Sequence, residues 1–464
     1  MKRNSIAEWD RREKRRKRKQ RNQAIVYGVL LLLVAALCML AVSGARYVVQ
    51  HREQQSQQQE SQQQSTQENI QESKQENKQE SIQEAVENLF ASEESIQAPE
   101  VSEEPIEPQL TPEERLEQLV EEQIAGMTLE EKVAGLFFVT PEAITGVSTA
   151  VKAGDGTRTA LEKYAVGGLI YFKKNIQTKE QITEMIHNSQ SFSKYPLFIG
   201  VDEEGGSVNR VAAVGLAQPR QSAAEIGATG DPDNAYKAGA EIGAYLSELG
   251  FNVNFAPVAD IANVSNSVMK SRAYGADAET VAPFVTAMMR GLHDSGITGC
   301  LKHFPGIGST TADTHNGLAS TQRSGEEFRN QELQVFKAGI DAGAQMIMVG
   351  HVNVPALDPE NHPASMSKTI ITDILRNELG YEGVIITDAL NMSAISEYYS
   401  AEQAAIMALK AGCDMLLMPE DFLQAYAGVV TAVAEGTISR QRVEDSLRRI
   451  YRIKYAEEAV GVAE

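Results

Sequence analysis

Short apolar runs alternate with amphipathic stretches over most of the chain, from about residue 111 to the C-terminus. Eight of the runs are rich in Val, Ile, Leu and Phe and have the length of buried strands. They lie at residues 135–140, 167–172, 196–202, 252–260, 298–304, 344–352, 383–389 and 413–419. Stretches with helical spacing lie between them, for example at 236–249, 326–342 and 368–379. Strands that alternate with helices predict a parallel sheet, and eight such units fit an α/β fold of the (β/α)₈ TIM-like barrel type. A doubly wound open sheet is the alternative architecture.

Two helices are expected before the first strand. Apolar residues at 116, 119, 120 and 124 have amphipathic spacing, and Thr128 and Glu131 have the spacing of a capping box. Together with the eight strands that follow, these helices predict a single barrel domain over residues 111–464.

Residues that can carry chemistry stand at the C-terminal ends of the predicted strands. They are Asp202, Asp260, Lys302, His303, His351 and Asp388. Active sites of (β/α)₈ barrels lie at that end of the strands. The placement favours an enzyme over a binding module.

Asp388 follows the apolar strand VIIT, so we expect its carboxylate at the mouth of the barrel, as a nucleophile or general base. A carboxylate that caps the following turn is the alternative. A candidate acid lies in the loop after the fifth strand, where Asp313 and His315 are two residues apart. A carboxylate beside an imidazole favours the protonated ring and orients it, and histidine suits a group that donates a proton and later removes one. A polar surface loop is the competing interpretation of this pair.

Lys302 and His303 are neighbours at one strand end. Adjacent strand residues point to opposite faces, so both can line one pocket only at a bulge or a strand terminus. Asp202 precedes two glycines, which permit close backbone approach. Arg210 and Arg272 follow the third and fourth strands, and each is either a surface charge or a ligand contact.

Two other strand-end residues are not included among the predicted site residues. His351 is equally well explained as a hydrogen-bonded histidine at the rim of the barrel. Asp260 is equally well explained as a carboxylate that holds its own loop.

No cofactor is expected. The histidines lack paired spacing with cysteine or a second carboxylate, and there is no Gly-rich phosphate loop, so the sequence contains no metal or nucleotide pattern. The three cysteines, Cys38, Cys300 and Cys413, lie in apolar runs and are expected to be small buried hydrophobic residues rather than a disulfide framework.

The N-terminal region has the pattern of a membrane anchor. Residues 24–45 carry no charge and, at ~1.5 Å per residue, reach roughly 33 Å, enough to span a bilayer core. Residues 1–23 hold 11 Lys/Arg and 3 Asp/Glu, and this basic flank predicts a cytoplasmic tail, with the remainder of the chain outside the cell membrane. A signal peptide cleaved after a small-residue site at 43–45 is the alternative.

Residues 46–110 are dominated by Gln, Glu and Ser and lack the apolar density needed for a core, which predicts a disordered linker. A helical or coiled-coil stalk is the alternative for this segment. Without residues 1–23, the chain has 32 basic and 60 acidic residues, and such an acidic surface argues against nucleic acid as a partner.

The chain from about residue 116 to 455 resembles glycoside hydrolase family 3, in its β-N-acetylglucosaminidase branch. The matching stretches are GVDEEGGSVNRV, FNVNFAPVADI, SRAYG, CLKHFPGIGSTTADTH and GVIITDALNMSAI. The resemblance implies that Asp388 is the nucleophile and His315 the acid/base, with Asp313 as its partner. It also implies a set of sugar-binding residues: Asp202, Arg210, Arg272, Lys302 and His303. Glu203 departs from the family pattern, because such proteins more often have Gln or Thr there.

Relatives that act on glucosides typically take their acid/base from a second domain. This chain ends soon after the eighth strand, so we expect the proton donor in a loop of the barrel, which favours the aminosugar branch. The combined expectation is a membrane-anchored exo-β-N-acetylglucosaminidase that releases terminal β-linked N-acetylhexosamine from cell-wall or chitin-type fragments by a retaining mechanism. A family 3 β-glucosidase, β-xylosidase or phosphorylase, and a catalytically silent wall-binding protein, remain alternatives.

Overall fold

The computed structural model describes residues 110–310 and 317–461. The predicted tail (1–23), the predicted membrane segment (24–45) and residues 46–109 of the predicted linker lie outside the described residues, as do Asp313 and His315. Within the described ranges, no helix combines the length and the apolar character that crossing a membrane requires.

Eight parallel strands form the centre of the domain, each inside one of the apolar runs. They are β1 (Phe137–Val139), β2 (Gly168–Ile170), β3 (Phe198–Val201), β4 (Val253–Asn254), β5 (Thr298–Phe304), β6 (Met346–Val349), β7 (Val384–Thr387) and β8 (Leu416–Leu417). From β1 to β7 each strand pairs with the next, and β8 pairs with β1. The prediction of a (β/α)₈ barrel rather than an open sheet is confirmed.

The seam between β7 and β8 closes the ring. A single parallel bridge joins Ile386 to Met415. Side chains supply two further contacts there: the Thr387 hydroxyl accepts the Leu417 amide at 3.0 Å, and the Asp414 carboxylate accepts the Ile385 amide at 2.9 Å. The barrel is therefore nearly closed, with side-chain acceptors standing in for part of a regular ladder.

Helices surround the barrel and follow its strands. They span Pro112–Ala125, Leu129–Ala134, Pro141–Thr145, Asp155–Lys163, Lys179–Phe192, Ala223–Gly227, Asp233–Glu248, Ala278–His293, Gly325–Asn330, Glu332–Asp341, Thr369–Glu378, Ser393–Ser396, Ala401–Ala411, Phe422–Ala434, Arg440–Lys454 and Ala456–Gly461. Short 3₁₀ turns lie at Lys173–Asn175, Ala212–Val214 and Ala364–Met366. The predicted capping box is present, because Thr128 and Glu131 each bond the backbone amide of the other.

The helix expected over 326–342 is two helices. Gln331 leaves helical geometry (φ −127°, ψ −87°), and its side-chain oxygen accepts the Ala278 amide at 3.0 Å. Tertiary contact at Gln331 thus interrupts a pattern that local spacing alone would continue. Two strands of two residues each, Ala319–Ser320 and Val352–Asn353, pair beside the barrel and were also not predicted.

Packing inside the barrel explains why short strands suffice. All residues of β1, β2 and β3 are buried, as expected for parallel strands covered on both faces. The Phe138 ring packs against Phe255, with centroids 5.3 Å apart, and a Cβ at Gly168 or Gly200 would come within 3 Å of it. Large and small residues on neighbouring strands therefore fill the interior together. Cys300 and Cys413 are buried and have free thiols, as predicted.

Candidate active site

Lys302 is the centre of a charged network at the C-terminal end of the barrel. Its side chain is 3% exposed, and its Nζ lies 2.7 Å from both Asp202 Oδ1 and Glu204 Oε1. Burial opposes the charge on Lys302, but Asp202 and Glu204 raise its pKa above the usual value. The amine is therefore held as an ammonium between two carboxylates.

Arg272 completes this network from the loop after β4. Its Nε and Nη2 donate to the two carboxylate oxygens of Glu204 at 2.8 and 2.6 Å, in the bidentate geometry that guanidinium favours. Burial would raise the pKa of Glu204, but Lys302 and Arg272 outweigh burial and lower it to about 2. Glu204 therefore stays ionised and fixes both cations.

Arg210 reaches the same network with few contacts of its own. Its Nη2 lies 3.8 Å from Asp202 Oδ2, and its guanidinium carbon lies 5.7 Å from the centroid of the Phe172 ring. Its buried Nε makes no hydrogen bond within the part of the chain that the structure describes. A partly buried guanidinium with a donor that no described residue bonds is suited to bind an oxygen-rich ligand.

Glycines allow the loop that carries Asp202, Glu204 and Arg210 to turn. Gly205 and Gly206 have positive φ angles of 91° and 56°. A Cβ at these positions would lie 2.6 Å from Gln221 O and 2.7 Å from Ser222 Cβ, respectively. The Gly-Gly pair therefore provides both the left-handed backbone and the close approach.

His303 is held by Asp260, which follows β4. Asp260 Oδ2 lies 2.8 Å from His303 Nδ1 and also accepts the His303 amide, while its Oδ1 accepts the Ile307 amide at 2.6 Å. One buried carboxylate thus fixes the ring and the turn that follows it. Within the described ranges no hydrogen bond is made by the imidazole Nε2, the ring nitrogen that could face a ligand.

Lys302 and His303 serve one site because the strand is irregular at this point. The pairing of β5 with β6 shifts register between Leu301 and Phe304. The shift breaks the strict alternation of side chains along β5. Such an irregularity is the condition under which Lys302 and His303 can both line one pocket.

Asp388 follows β7 and has an electropositive environment. Burial opposes its charge, but His303, His351, the Ala389 amide and Lys302 together keep the pKa of its carboxyl below the usual value. The Ala389 amide donates to Oδ1 at 2.8 Å, and it is the one hydrogen bond to this carboxylate within the described ranges. Asp388 is therefore an ionised carboxylate with acceptor capacity to spare, which a nucleophile requires.

The described residues of the predicted site come together. Asp202, Arg210, Arg272 and Lys302 form one network with Glu204, and the charges of Lys302 and His303 act on Asp388. The roles assigned to Asp313 and His315 stay predictions, because both residues lie outside the described ranges.

Sequence reasoning missed Glu204, which was not singled out. The structural explanations of Asp260 and His351 agree with their contacts, since Asp260 holds the turn at Ile307 and His351 is hydrogen-bonded at the rim of the barrel. His351 bonds Ser365 through Nδ1 at 2.7 Å and the Ala389 carbonyl through Nε2 at 3.0 Å, beside Asp388. The position of Glu204 shortly after β3 was the feature of the sequence that could have identified it.

Comparison with known proteins identifies the family of the chain. The family model described as the glycosyl hydrolase family 3 N terminal domain matches residues 128–453. β-Hexosaminidase A of Pseudoalteromonas piscicida is 33% identical over 331 residues, which are 63% of this chain and 54% of that protein. A β-hexosaminidase of Stenotrophomonas maltophilia is 38% identical over 296 residues, covering 61% of this chain and 87% of the relative.

A solved structure gives the same result. The family 3 β-N-acetylglucosaminidase of Paenibacillus sp. FPU-7 aligns with a TM-score of 0.67 and 35% identity, over 72% of this chain and 63% of that one. With the family model spanning well over half of the sequence and the barrel matching family structures, the chain belongs to glycoside hydrolase family 3.

Proposed function

We propose that this protein is an exo-β-N-acetylglucosaminidase that removes terminal, non-reducing β-linked N-acetylhexosamine from glycans by a retaining double displacement. The ionised carboxylate of Asp388, with one hydrogen bond from the described residues and neighbouring positive charge, is the observation that carries the proposal. The β-hexosaminidases among its relatives and the family 3 β-N-acetylglucosaminidase structure support the choice of sugar.

In the first step, a carboxylate oxygen of Asp388 forms a bond to the anomeric carbon while the bond from that carbon to the leaving oxygen breaks. His315 gives its proton to the leaving oxygen. In the second step, water attacks the anomeric carbon, gives a proton to His315, and the bond to Asp388 breaks. Two inversions at the anomeric carbon leave the β configuration unchanged.

The charged network has the chemistry for holding the sugar. Asp202 offers acceptors, Lys302 and Arg210 offer donors, and His303 offers a ring nitrogen, so hydroxyl and N-acetyl groups can be bonded from several sides. Arg272 directs two donors to Glu204, so we assign it to holding Lys302 and Glu204 in place.

The test uses the full-length protein and aryl β-glycosides of N-acetylglucosamine, glucose and xylose, with His315→Ala and Asp313→Asn beside wild type. The proposal requires turnover of the N-acetyl substrate above the other two and a large loss in His315→Ala, with a smaller loss in Asp313→Asn. Preference for the glucoside would assign another specificity within the family. Turnover that depends on added phosphate would mean a phosphorylase, and no cleavage of any substrate would favour an anchored wall-binding protein.

We also propose that the domain is anchored in the cell membrane by residues 24–45, faces outward and acts on cell-wall or chitin-type fragments. The uncharged run, its basic flank and the polar linker that follows support this arrangement. Deletion of residues 1–45 should move activity from the membrane fraction to the soluble fraction. An intact chain already found in the soluble fraction would contradict the anchor.

A further inference from the structure

Glu203 is a buried carboxylate beside the proposed sugar-binding residues. The residue is only 1% exposed, and hydrogen-bond donors surround its carboxylate. Oε2 accepts the amides of Arg210 and Val211 at 2.5 and 2.9 Å. Oε1 accepts the Ala212 amide at 3.0 Å and the Tyr245 hydroxyl at 2.9 Å. Both oxygens are therefore in use, by three consecutive backbone amides and one phenol.

The backbone of Glu203 is also fixed. The side chain of Asn254, at the end of β4, accepts the Glu203 amide at 3.0 Å and donates to its carbonyl at 2.9 Å. Because Asn254 belongs to the barrel, it ties the start of the loop to the strands. The Glu203 carboxylate in turn accepts amides at the far end of the same loop, at residues 210–212.

Arg210 depends on this anchoring more than the other cations of the site. Arg272 and Lys302 have carboxylate partners within 2.8 Å, whereas the nearest ion-pair partner of Arg210 among the described residues is 3.8 Å away. With fewer close side-chain contacts in the described ranges, the Arg210 guanidinium relies more on its backbone, and Glu203 accepts the amide of that backbone.

We propose that Glu203 is a positioning residue that places Arg210 for sugar binding and that it needs a carboxylate to do so. The inference rests on the proposed function, in which Arg210 contacts the substrate. A glutamine has one acceptor oxygen, so in one orientation its NH₂ group faces the Ala212 amide, and in the other it faces the amides of Arg210 and Val211. Either way at least one buried donor loses its partner.

The experiment compares Glu203→Gln with wild type in the full-length protein, using the aryl β-N-acetylglucosaminide. Loss of a buried acceptor should raise KM roughly 10-fold and leave kcat within about twofold, because a ground-state contact to the sugar is weakened. Tyr245→Phe removes one donor while keeping the three amide bonds, so KM should rise by only about twofold. If Glu203→Gln folds poorly, the Tyr245→Phe variant still tests the proposal through this smaller rise in KM.

Glu131→Gln is the matched control. Glu131 likewise accepts a backbone amide and a tyrosine hydroxyl, from Thr128 and Tyr195, each at 2.9 Å, but it precedes β1. This variant should lower Tm and leave KM unchanged. An equal rise of KM in both variants would assign Glu203 a general stabilising role and overturn the proposal.

Two further measurements separate the proposal from the function on which it rests. In an Arg210→Ala background, Glu203→Gln should cause no further fall in kcat/KM; multiplicative losses would overturn action through Arg210. Amide hydrogen exchange at 210–212 should accelerate at least about 10-fold in Glu203→Gln, and unchanged exchange would reject the anchoring. Wild type inactive on every glycoside would instead reject the proposed function, while the exchange data would still decide whether Glu203 anchors the loop.

Discussion

Two aspartates on neighbouring strands of the barrel differ in how many of their hydrogen-bond acceptor positions are used. Asp414, which precedes β8, is 0% exposed and accepts bonds from Ser446, Arg376, Arg449 and the Ile385 amide. Asp388, which follows β7, accepts one bond from the Ala389 amide within the described ranges. Both are carboxylates beside positive charge.

The contrast indicates what each carboxylate does. Every lone-pair direction of Asp414 is directed at a structural donor, so its charge is used to hold β7, β8 and the helix Arg440–Lys454 together. Asp388 has the charge but, within the described ranges, only the bond from the Ala389 amide, which leaves an oxygen able to form a bond to a substrate. Saturation of hydrogen-bonding capacity thus distinguishes a structural carboxylate from a reactive one.

Asp388→Asn should show the largest effect. Loss of the nucleophile is expected to lower kcat by roughly 10⁴-fold or more, since no other group replaces the covalent step. Tm should change by only a few degrees, because Asn keeps the shape and the Ala389 contact. Steady-state kinetics and a thermal melt on the same sample test this. Activity near that of wild type would exclude Asp388 as the nucleophile.

Asp414→Asn should give the opposite result. Removing the charge of Asp414 leaves Arg376 and Arg449 without the carboxylate that they contact. This loss is expected to lower the free energy of unfolding by about 3–5 kcal/mol. Urea titration measures that loss, and kcat per folded molecule should stay within about twofold of wild type. A variant as stable as wild type would mean that the arginines are held by their carbonyl contacts alone.

Glu204 should make the stability of the protein depend on pH. Its pKa falls from about 4.5 to about 2 on folding, so the ionised form stabilises the folded state. That stabilisation, about 3 kcal/mol, is complete above pH 4.5 and is lost as the pH falls towards 2. In Glu204→Gln the free energy of unfolding should vary less over this interval. Glu117→Gln, which breaks the exposed Arg452 pair, should change the slope much less.

Arg272→Lys should show the smallest of these effects. Lysine keeps the charge but loses the bidentate contact with Glu204, so kcat/KM is expected to fall about 10-fold. Arg329 makes a similar bidentate contact to Glu378 at the surface, with half of its side chain exposed. Arg329→Lys is therefore the control, and kcat/KM should not change. An equal fall in both variants would mean that Arg272 matters only for folding.

Much of the fold could be predicted from local pattern. Each barrel strand is an apolar run because parallel strands are buried on both faces, and polar residues at strand ends identify the active end. The break at Gln331 could not be predicted, since its cause is a bond to Ala278 rather than a local breaker.

The internal contacts of the site were harder to predict than its members. Lys302 and Asp202 are 100 residues apart, and Arg272 and Glu204 are 68 apart, so spacing along the chain carries no information about the pairs. Glu203 and Glu204 are adjacent acidic residues, a pattern usual at protein surfaces. Only the fold shows their different roles. Glu203 accepts backbone amides of its own loop, whereas Glu204 contacts the cations Arg272 and Lys302.

The seam between β7 and β8 has a consequence for how this barrel can vary among related chains. Where strands pair through backbone groups alone, almost any residue of suitable size preserves the pairing. At the seam, the Thr387 hydroxyl and the Asp414 carboxylate accept amides directly, so pairing depends on residue identity. We expect mutational libraries to tolerate fewer amino acids at 387 and 414 than at buried positions of β1 or β2.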